Sequence, residues 1–457
     1  MMGLGEAAQA IGAQAVGPEV RFEGLSTDTR SVARGELFVA IRGEKYDGHV
    51  FLEVAKQRGA AAAMVDRTHL GPAPLPLLVV EDTRKGLGRL GAHWRARFQP
   101  VLIAVAGSNG KTTTKEMLTA ILRAHAGGDR VLATPGNLNT DIGVPMTLLR
   151  MTGNHTHCAI ELGMNHPGEI AYLAAIARPT IAVVTNAQRE HQEFMKTVAA
   201  AAEENASVFA ALAADGVAVI NGDDEQAHIF RRAKGARQTV EFKIEGGADV
   251  TATYSLGPLS SDIVVRTPAG EAKASIAIPG LHNVRNALAA AACGFAAGMA
   301  PAAIAKGLAD FRPYTGRHQV KTLPSGATLI DDSYNANPDS VLAAIDVLAD
   351  LPAPRLLVLG DMGEVGVNGA AFHAEVGQHA QAQGIERLFT LGDLAQASAA
   401  AHAQATHFED MSALQAAVLA QAAQGGSVLV KGSRFMRMER VVQAMLEHST
   451  AQEATCS

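Results

Sequence analysis

Apolar and polar positions follow two different periods along the chain, and the changes between them predict its elements. Short continuous apolar runs, such as VLIAVA at 101–106 and TIAVV at 180–184, are typical of buried strands in a parallel sheet. Stretches such as VAAAAEENASVFAAL at 198–212 have the length and composition of helices. The regular exchange of the two patterns predicts an α/β fold in which helices cover mostly parallel sheets.

The pattern changes along the chain predict three domains. Residues 1–96 mix short apolar runs with a helical stretch and predict a small α/β domain. Residues 97–314 hold the strongest strand signal and predict a central parallel-sheet domain like that of P-loop ATPases, with an antiparallel insert between 239 and 279. Residues 315–457 begin a new cycle of strands and helices and predict a Rossmann-like domain. Hinges are expected near Phe98 and Thr315.

Composition excludes several classes of protein. The 457 residues are 48% hydrophobic, which excludes a disordered or fibrous chain. A net charge of -6 without a long basic run argues against a nucleic-acid partner. The cysteines Cys158, Cys293 and Cys456 show no metal-binding spacing and no disulfide framework. A reducing cytoplasm fits this usage.

Two stretches bear on membranes and targeting. The N-terminus has no basic start and no sustained apolar core, so it is a poor signal peptide. Residues 287–305 carry no charge and are long enough to raise the question of a membrane span. Because Gly294, Gly298 and Pro301 interrupt this alanine-rich stretch, we predict two helices there and no membrane span.

The stretch AVAGSNGKTTT at 104–114 is close to a phosphate-binding loop in composition but not in spacing. The common form has its first glycine at the position of Val105, and here Gly107 comes two residues later. A strand, a Gly-rich turn and a helix still follow each other, which points free N–H groups and the positive helix end at an anion. Lys111 would reach the outer phosphates of ATP and Thr112 would hold Mg²⁺. The predicted ATP-binding residues here are Gly107, Ser108, Asn109, Gly110, Lys111, Thr112 and Thr113.

Two further side chains follow apolar strands. Glu161 ends the strand in CAIELGM, and His191 follows the strand in TIAVVTNAQREH. Since ligands of open α/β sheets bind at the carboxyl ends of strands, both side chains could meet the loop and complete a Mg²⁺ shell or hold a second ion. Alternatively, Glu161 is a capped or solvated strand end and His191 an ordinary loop histidine.

Seven motifs occur in an order that resembles the Mur ligase family: AGSNGKTTT, ELGMNHPGEI, PGLHNVRNALAA, TGRH, LIDDSYNANPDS, VLGDMGEVG and VLVKGSRFMRMERVV. The resemblance covers nearly the whole chain. DDSYNANPDS, GDMGE and KGSRFM are most similar to the members that add D-alanyl-D-alanine to UDP-N-acetylmuramoyl-tripeptide. The DNPR and GKGHE elements of the diaminopimelate-adding members are absent. The resemblance implies an ATP- and Mg²⁺-dependent amide-bond-forming ligase, which passes through an acyl phosphate in cytoplasmic peptidoglycan precursor synthesis.

The resemblance also implies roles for particular residues. Lys111, Glu161 and His191 would be catalytic, with Thr112 and Glu161 at one ion and His191 at a second. Adenine and ribose would be met by Asn286, Asp332, Asn335 and Asn337, with Arg317 nearby. The dipeptide would be met by Lys431, Ser433 and Arg434, although composition alone would make Lys431 and Arg434 solvated loop charges. The uridine-diphosphate end would be met by Thr27, Asp28, Thr29, Arg30, Arg42, Gly43, Asp47, Gly48 and His49, a stretch that otherwise reads as a surface loop.

One position departs from the family pattern. Most members carry a lysine in the helix after the histidine loop, and its carbamylation creates a metal-binding carboxylate; the matching residue here is Asn205. Asparagine cannot be carbamylated, so either the match slips locally or the second metal site is built differently. We predict that Glu203 or Glu204, or Asn205 through a bridging water, replaces that carboxylate, and the alternative is that both glutamates are solvated helix charges.

Two other functions remain open from the sequence. A ligase like folylpolyglutamate synthase is disfavoured by the N-terminal stretch and by the motifs of the dipeptide-adding enzymes. A Mur-like subunit without turnover is suggested by Asn205 but disfavoured by the presence of Lys111, Glu161 and His191. No feature requires more than a monomer.

Overall fold

The computed structural model describes residues 1–43, 46–69 and 73–456, with side chains as far as residue 448. Three main sheets follow one another along this part of the chain, each with its own helices. The prediction of an α/β fold with three domains is confirmed. The boundaries after residues 96 and 314 stay a prediction.

The described N-terminal part forms a five-stranded sheet in the order β2-β7-β6-β5-β4, while β1 pairs with β3. All neighbours in the larger sheet are parallel except β2 and β7. The strands are Met2–Gly3 (β1), Gln14–Val16 (β2), Arg21–Phe22 (β3), Gly24–Ser26 (β4), Glu36–Val39 (β5), Ala62–Asp66 (β6) and Leu77–Val80 (β7). The helices are Leu4–Ile11 (α1), Leu52–Gln57 (α2) and Thr83–Arg95 (α3).

The described central part forms a nine-stranded sheet with three antiparallel-paired strands at one edge. Its strands are Val101–Ala106 (β8), Val131–Ala133 (β9), His157–Glu161 (β10), Ile181–Val184 (β11), Val217–Asn221 (β12), Gln238–Lys243 (β13), Val250–Leu256 (β14), Ser261–Thr267 (β15) and Gly270–Ile276 (β16). Its helices are Lys111–Ala126 (α4), Gly143–Leu148 (α5), Glu169–Ala177 (α6), Gln192–Met195 (α7), Val198–Ala206 (α8), Ala227–Ala233 (α9), Leu281–Ala296 (α10) and Pro301–Asp310 (α11). The order is β16-β15-β14-β13-β12-β11-β8-β10-β9.

The described C-terminal part forms a six-stranded sheet in the order β17-β18-β22-β19-β20-β21, parallel except for the edge strand β17. The strands are Gln319–Thr322 (β17), Thr328–Asp332 (β18), Arg355–Gly360 (β19), Arg387–Leu391 (β20), Ala405–Phe408 (β21) and Ser427–Lys431 (β22). The helices are Pro338–Ala349 (α12), Gly369–Ala382 (α13), Gln396–Ala400 (α14), Met411–Ala422 (α15) and Glu439–Cys456 (α16).

The central sheet has an apolar core on each face. Helices α4, α10 and α11 cover one face, and α6 and α8 with the segment after α8 cover the other. Strand β8 lies between β10 and β11, and helices cover both faces of the sheet there, so all its residues after Val101 are buried. This explains why its sequence is continuously apolar rather than alternating.

The register of three central strands positions the site. Val105 of β8 is level with Glu161 of β10 and with Val183 of β11. Because these strands are parallel, the segments that follow them leave the sheet at the same edge. The phosphate loop, Glu161 and the loop that carries His191 therefore start side by side.

The antiparallel insert predicted for residues 239–279 is confirmed only in part. Strands β14, β15 and β16 pair in antiparallel fashion, whereas β13 pairs in parallel with both β12 and β14. The segment extends the central sheet instead of forming a separate unit. Its strands β14, β15 and β16 are buried mainly on one face, so their alternating pattern marks an edge of the same sheet.

The uncharged stretch 287–305 lies within α10 and α11, and the break between them falls at 297–300, so the two predicted helices are confirmed. In the described residues, no helix combines the length and the apolar character that crossing a bilayer requires. Cys158 and Cys293 are buried free thiols, and burial raises the pKa of the Cys158 thiol to about 12. The side chain of Cys456 lies outside the described residues.

Candidate active site

Two glycines determine the path of the phosphate loop. Gly107 and Gly110 have φ angles of 127° and 78°. A Cβ at Gly107 would lie 2.1 Å from Thr185 Oγ1, and one at Gly110 would lie 2.0 Å from Asn286 Oδ1. Only glycine tolerates both the backbone angle and the close neighbour. Val105, at the position of the usual glycine, is a fully buried strand residue, so the chain turns only after β8 has ended.

The segment after β11 holds the phosphate loop from one side. The N–H of Ser108 donates to the carbonyl of Asn186 at 2.9 Å, and the N–H of Asn109 donates to Asn186 Oδ1 at 2.9 Å. Asn186 Nδ2 donates back to the carbonyl of Asn109 at 2.9 Å. The loop is thus shaped by protein contacts alone, which suits a site whose dipoles must be oriented before charge develops.

Lys111 folds back over the loop that precedes it. Its Nζ donates to the carbonyls of Gly107 at 2.6 Å and Ser108 at 2.9 Å, and lies 3.3 Å from Glu190 Oε2. The side chain is 15% exposed. This places a largely buried ammonium at the mouth of the loop, where an incoming phosphate could replace the carbonyls as its partner.

Glu161 is a buried carboxylate with one satisfied and one unsatisfied oxygen. Oε1 accepts from Thr112 Oγ1 at 3.1 Å and from Asn139 Nδ2 at 2.8 Å. Among the described residues, Oε2 has no hydrogen-bond partner, although the residue is only 1% exposed. A buried carboxylate oxygen without a donor is costly unless a cation meets it.

The residues around Glu161 fit a Mg²⁺ ion. Carboxylate and hydroxyl oxygens are suitable ligands, and Mg²⁺ in phosphate sites takes only one or two carboxylates and fills its shell with water and phosphate oxygens. The described residues contain no group of three or more His, Cys, Asp or Glu side chains arranged for a metal. Glu161 and Thr112 supply the protein part of such a shell.

His191 lies at the boundary with the C-terminal domain. It has a left-handed backbone with φ of 47°, and its Nδ1 pairs with Glu364 Oε2. This hydrogen bond from His191 lowers the pKa of Glu364. His191 Nε2 lies 3.9 Å from Glu190 Oε2. The Nδ1 atom of the imidazole therefore contacts the C-terminal domain, and the Nε2 atom points toward Glu190 beside Lys111.

The structure does not bring Glu203 or Glu204 to the loop. The carboxylate of Glu204 accepts from the N–H groups of Gly168 at 2.8 Å and Ile170 at 2.9 Å, at the start of α6. Glu203 is exposed and pairs with Arg232 at 3.1 Å. Both side chains point away because they occupy helix positions that face α6 and α9, so the predicted replacement of the carbamylated lysine by either one has no support from their placement.

Asn205, in contrast, contacts the loop directly. It is fully buried, and its Oδ1 accepts from the N–H of Gly107 at 2.7 Å. Its Nδ2 donates to the carbonyl of Ala201 at 2.9 Å and lies 3.5 Å from Glu190 Oε1. The amide therefore ties α8 to the start of the phosphate loop.

Asn286 and Asn337 reach the loop from two other directions. Asn286 Oδ1 lies 3.4 Å from Thr114 Oγ1, beside Gly110. Asn337, the first residue before α12, exchanges side-chain hydrogen bonds with Asn109. Of the residues predicted to meet adenine and ribose, these two contact phosphate-loop residues.

Asp332 and Lys431, which were predicted to serve different substrates, form one buried ion pair. Lys431 Nζ lies 2.6 Å from Asp332 Oδ2 and 2.9 Å from the carbonyl of Asn335. Burial would raise the pKa of Asp332, but the neighbouring Lys431 and His318 outweigh it and hold the pKa well below its ordinary value. Burial lowers the pKa of Lys431, and Asp332 opposes that effect.

Two arginines lie over one tyrosine ring at the cavity wall. The guanidinium of Arg317 is 4.2 Å from the ring centre of Tyr334, and that of Arg434 is 5.4 Å away. The Arg434 side chain is 62% exposed. Ser433 accepts from the N–H of Gly363 at 2.7 Å and donates to the carbonyl of Ala336 at 3.1 Å. Arg434 is thus the predicted dipeptide residue that remains most accessible.

A cavity of about 1500 Å³ joins these groups. It runs from the phosphate loop to the C-terminal domain and also includes Arg84 of α3. The predicted residues that line it are Ser108, Asn109, Gly110, Lys111, Thr112, Thr113, Glu161, His191, Asn286, Arg317, Asp332, Asn335, Asn337, Lys431, Ser433 and Arg434. Residues far apart in sequence, from all three parts of the chain, thus share one solvent-filled space.

The nine residues predicted to meet uridine diphosphate do not line that cavity. Within the described residues they form two local clusters, at 27–30 and 42–49. Arg30 donates to Asp28 and lowers the pKa of that carboxyl to about 2. His49 Nδ1 lies 2.6 Å from Asp47 Oδ1, and Arg42 lies 3.4 Å from Asp47 Oδ2. A Cβ at Gly48 would lie 2.8 Å from the backbone nitrogen of Ile41, so the glycine permits a close approach of two backbone segments.

The comparisons with known proteins agree with this geometry. Three family models match: "Mur ligase family, catalytic domain" at residues 21–95, "Mur ligase middle domain" at 105–294 and "Mur ligase, glutamate ligase domain" at 316–434. The UDP-N-acetylmuramoyl-tripeptide--D-alanyl-D-alanine ligase of Escherichia coli (strain K12) is 40% identical over 438 residues, which cover 95% of this chain and 96% of that relative. The chain belongs to the Mur ligase family. The resemblance seen in the sequence is confirmed.

Solved structures show that this Mur ligase shares its whole architecture with relatives. MurF from Acinetobacter baumannii is 32% identical with a TM-score of 0.90, over 97% of this chain and 98% of that one. The MurF ligase from Thermotoga maritima in complex with ADP is 25% identical with a TM-score of 0.82, over 94% and 98% of the two chains. The predicted fold is therefore confirmed across all three domains.

Several polar residues that shape the site of this Mur ligase were not singled out from its sequence: Asn139, Asn186, Arg189, Glu190, Tyr334 and Glu364. Three of them, Asn186, Arg189 and Glu190, stand in TNAQREH, the same segment that led to His191. The feature of the sequence that could have identified these three residues is their position directly after a central strand. Polar residues after a strand are common, however, so only the contacts separate them from ordinary loop residues.

Proposed function

We propose that this Mur ligase adds D-alanyl-D-alanine to UDP-N-acetylmuramoyl-tripeptide, with ATP and Mg²⁺, in the synthesis of peptidoglycan precursors. The observation that carries the proposal is the cavity that unites the phosphate loop and Glu161 with the C-terminal residues Asn337 and Lys431. The relatives named above include a UDP-N-acetylmuramoyl-tripeptide--D-alanyl-D-alanine ligase and a MurF. This chain matches each of them over almost its entire length. We further propose a cytoplasmic monomer, because domains of one chain complete the cavity.

The chemistry begins with an unreactive carboxylate. Its carbonyl is stabilised by resonance and carries negative charge, so an amine does not attack it. Transfer of the terminal phosphoryl group of ATP to the peptide carboxylate yields an acyl phosphate and releases ADP. The amine of the dipeptide then attacks the carbonyl carbon, the C–O bond to phosphate breaks, and inorganic phosphate and a proton leave as the amide forms.

Bringing two anions together requires positive charge at the transferred group. Lys111 can exchange the carbonyls of Gly107 and Ser108 for phosphate oxygens without leaving the mouth of the loop. A Mg²⁺ ion held by Thr112 and Glu161 would neutralise the charge that develops on the phosphate oxygens. The hydrogen bonds of Ser108 and Asn109 to Asn186 fix the path of the loop, so the loop itself needs no rearrangement at that moment.

Contacts between domains bring the substrate sites together. Arg189, after β11, donates to Asp339 at 2.6 Å and to Glu375 at 2.7 Å, and both carboxylates belong to the C-terminal domain. Domain closure of this kind protects a reactive acyl phosphate from water. The predicted hinges near Phe98 and Thr315 would then allow substrates to enter and product to leave.

The test is phosphate release from ATP by the purified protein with UDP-N-acetylmuramoyl-tripeptide, with and without D-alanyl-D-alanine. We expect release that depends on both, together with a pentapeptide product identified by its mass. The tripeptide is offered with lysine or diaminopimelate as its third residue. The Lys111→Ala variant should lose about 10²–10³-fold in turnover, the effect of removing one preorganised donor.

Each contrary result has a clear meaning. Release without the dipeptide would contradict the ligase reaction, and turnover with a folate and glutamate instead would favour the folylpolyglutamate-synthase alternative. Absence of any release by a folded protein that still binds ATP would favour a subunit without turnover.

A further inference from the structure

A second buried carboxylate, Glu190, lies beside the phosphate loop. It is 5% exposed and lines the same cavity as Glu161. Its Oε2 is 3.3 Å from Lys111 Nζ and 3.9 Å from His191 Nε2, while its Oε1 is 3.5 Å from Asn205 Nδ2. Glu190 thus lies close to three residues: Lys111 of the loop, His191, which was predicted at the second ion, and Asn205, which departs from the family pattern.

The partners of Glu190 balance its charge only while Lys111 remains folded back. Apart from His191 at 3.9 Å, which carries charge only when protonated, Lys111 is the one cationic partner that the described contacts give to this carboxylate, and it is also shared with two loop carbonyls. When Lys111 turns to the phosphates of a bound nucleotide, a buried carboxylate would lose its counter-charge, which is strongly unfavourable. The charge of Glu190 would then be balanced by a divalent cation bound together with the nucleotide.

On the other side of the phosphate loop, the carboxylate of Glu161 also needs a cation to balance its charge. Lys111 and Thr112 are consecutive at the start of α4; Lys111 contacts Glu190, and Thr112 contacts Glu161. Glu161 keeps one buried oxygen without a partner in the described residues, which itself points to a cation. Two buried carboxylates therefore flank the place where the phosphates would lie.

Asn205 brings no charge to the part of the cavity that Glu190 lines. The amide is held between the N–H of Gly107 and the carbonyl of Ala201, so it supplies a neutral oxygen and no charge to this part of the cavity. A carboxylate built on residue 205 is impossible in this chain. Glu190 places one 3.5 Å from the Asn205 amide nitrogen, on the residue that precedes His191.

We propose that Glu190, together with His191, binds the second divalent cation of this Mur ligase, and so supplies the carboxylate that Asn205 cannot carry. The proposal rests on the proposed function only in requiring a nucleotide with its cations at this loop. It predicts a cation site that needs no carbamylated side chain.

The test measures cation binding rather than activity. Mn²⁺ is titrated into the full chain with a non-hydrolysable ATP analogue, and free Mn²⁺ is followed by electron paramagnetic resonance. Wild-type protein should bind a tighter and a weaker ion. In Glu190→Gln, which keeps the size of the side chain, the affinity of one ion should fall by at least about tenfold while the other ion stays bound.

The matched control is Glu203→Gln, the same charge change on an exposed residue of α8 that pairs only with Arg232 in the contacts described. It should bind Mn²⁺ like the wild type. Circular dichroism and thermal unfolding verify that each variant is folded. The nucleotide analogue is also titrated in the presence of EDTA, because a residue that only positions Lys111 would alter nucleotide affinity without metal and leave Mn²⁺ affinity unchanged. That pattern would overturn the proposal.

A double variant tests whether a carbamylated lysine at position 205 can replace Glu190. Glu190→Ala/Asn205→Lys removes the glutamate and restores a lysine, whose neutral amine can attack CO₂, forming an N–C bond and releasing a proton to give a carbamate. Mn²⁺ affinity should recover only when bicarbonate is supplied, whereas wild type should be indifferent to removal of dissolved CO₂. Wild-type binding that requires CO₂ would refute the proposal. No step of this test uses the tripeptide or the dipeptide. The Mn²⁺ affinities can therefore be interpreted even if the proposed ligase activity is not found.

Discussion

Asn109 of the phosphate loop and Asn337 of the C-terminal domain donate hydrogen bonds to each other. Asn337 Nδ2 lies 2.8 Å from Asn109 Oδ1, and Asn109 Nδ2 lies 3.2 Å from Asn337 Oδ1. Asn337 Oδ1 also accepts from the N–H of Ser340 at 2.9 Å and so caps α12. One side chain therefore connects the start of a C-terminal helix to the loop that is proposed to bind phosphate.

Asn337→Asp separates these two roles. An aspartate still caps α12 but cannot donate to Asn109 Oδ1, so the KM for ATP should rise about fivefold, the effect of one hydrogen bond, with little loss of stability. Asn337→Ala should raise the KM further, because both hydrogen bonds to Asn109 are lost, and should also lose about 1 kcal/mol of unfolding free energy from the missing cap. ATP-dependent phosphate release and urea unfolding measure the two effects. An unchanged KM in Asn337→Asp would mean that the pair does not act on the loop.

Glu161→Gln tests the unsatisfied carboxylate oxygen. Removing the charge should raise the Mg²⁺ concentration needed for half-maximal nucleotide binding by at least about tenfold. The melting temperature of the metal-free protein should not fall, because a buried negative charge without a partner on Oε2 is removed. The control is Glu271→Gln, an exposed carboxylate of β16 that pairs with Arg266. Equal Mg²⁺ requirements in both variants would contradict a role for Glu161 at the ion.

Asp332→Asn should be strongly destabilising, because it leaves the Lys431 ammonium buried without its anion. The expected loss is about 3–5 kcal/mol of unfolding free energy, and the Asp332→Asn/Lys431→Met double variant should recover most of it. Urea unfolding of the single and double variants provides the measurement. If the double variant is no more stable than Asp332→Asn, the two side chains do not act as a pair.

The same pair makes a prediction about pH. Since the pKa of Asp332 is depressed in the folded protein, its contribution to stability is complete above the unfolded pKa of about 4 and is lost as pH falls through the folded value. The deficit of Asp332→Asn should therefore be constant near neutral pH and narrow below about pH 4. A deficit that grows on acidification would contradict the depressed pKa.

Arg189→Gln tests the contact between the central and C-terminal domains. Asp339 and Glu375 outweigh burial and raise the pKa of Arg189, so this guanidinium is charged and its loss removes two interdomain ion pairs. We expect a larger radius of gyration in small-angle X-ray scattering and a higher KM for ATP. The control is Arg231→Gln, which breaks a pair with Glu241 inside the central domain. Identical scattering by both variants would show that Arg189 does not hold the domains together.

The parts of the site that the sequence predicted share one property: they are encoded by neighbouring residues. The strand, glycine turn and helix around Lys111 can be recognised because their order alone determines which groups face an anion. Glu161 and His191 could be proposed because each follows a strand, and parallel strands end at a common edge. These local rules hold whatever the rest of the chain does.

The expectations that the placement of residues does not support depended on the direction of a side chain. Glu204 and Asn205 are adjacent in α8, yet Glu204 accepts hydrogen bonds at the start of α6 and Asn205 reaches Gly107. Consecutive helix residues point about 100° apart, so a one-residue difference decides which partner is reached. Lys431 and Asp332 likewise could not be paired from the sequence, since β18 and β22 become neighbours only in the folded sheet.

The sequence by itself therefore determined the alternation of strands and helices, the phosphate loop, the absence of a lysine at position 205 and the family to which the chain belongs. Only the tertiary structure decided that Glu190 lies beside Asn205, that Asn337 meets Asn109 and that Arg189 joins two domains. The physical reason is that periodicity and contiguous motifs act within a few residues, whereas these contacts join residues from separate elements, and burial and register choose among the partners.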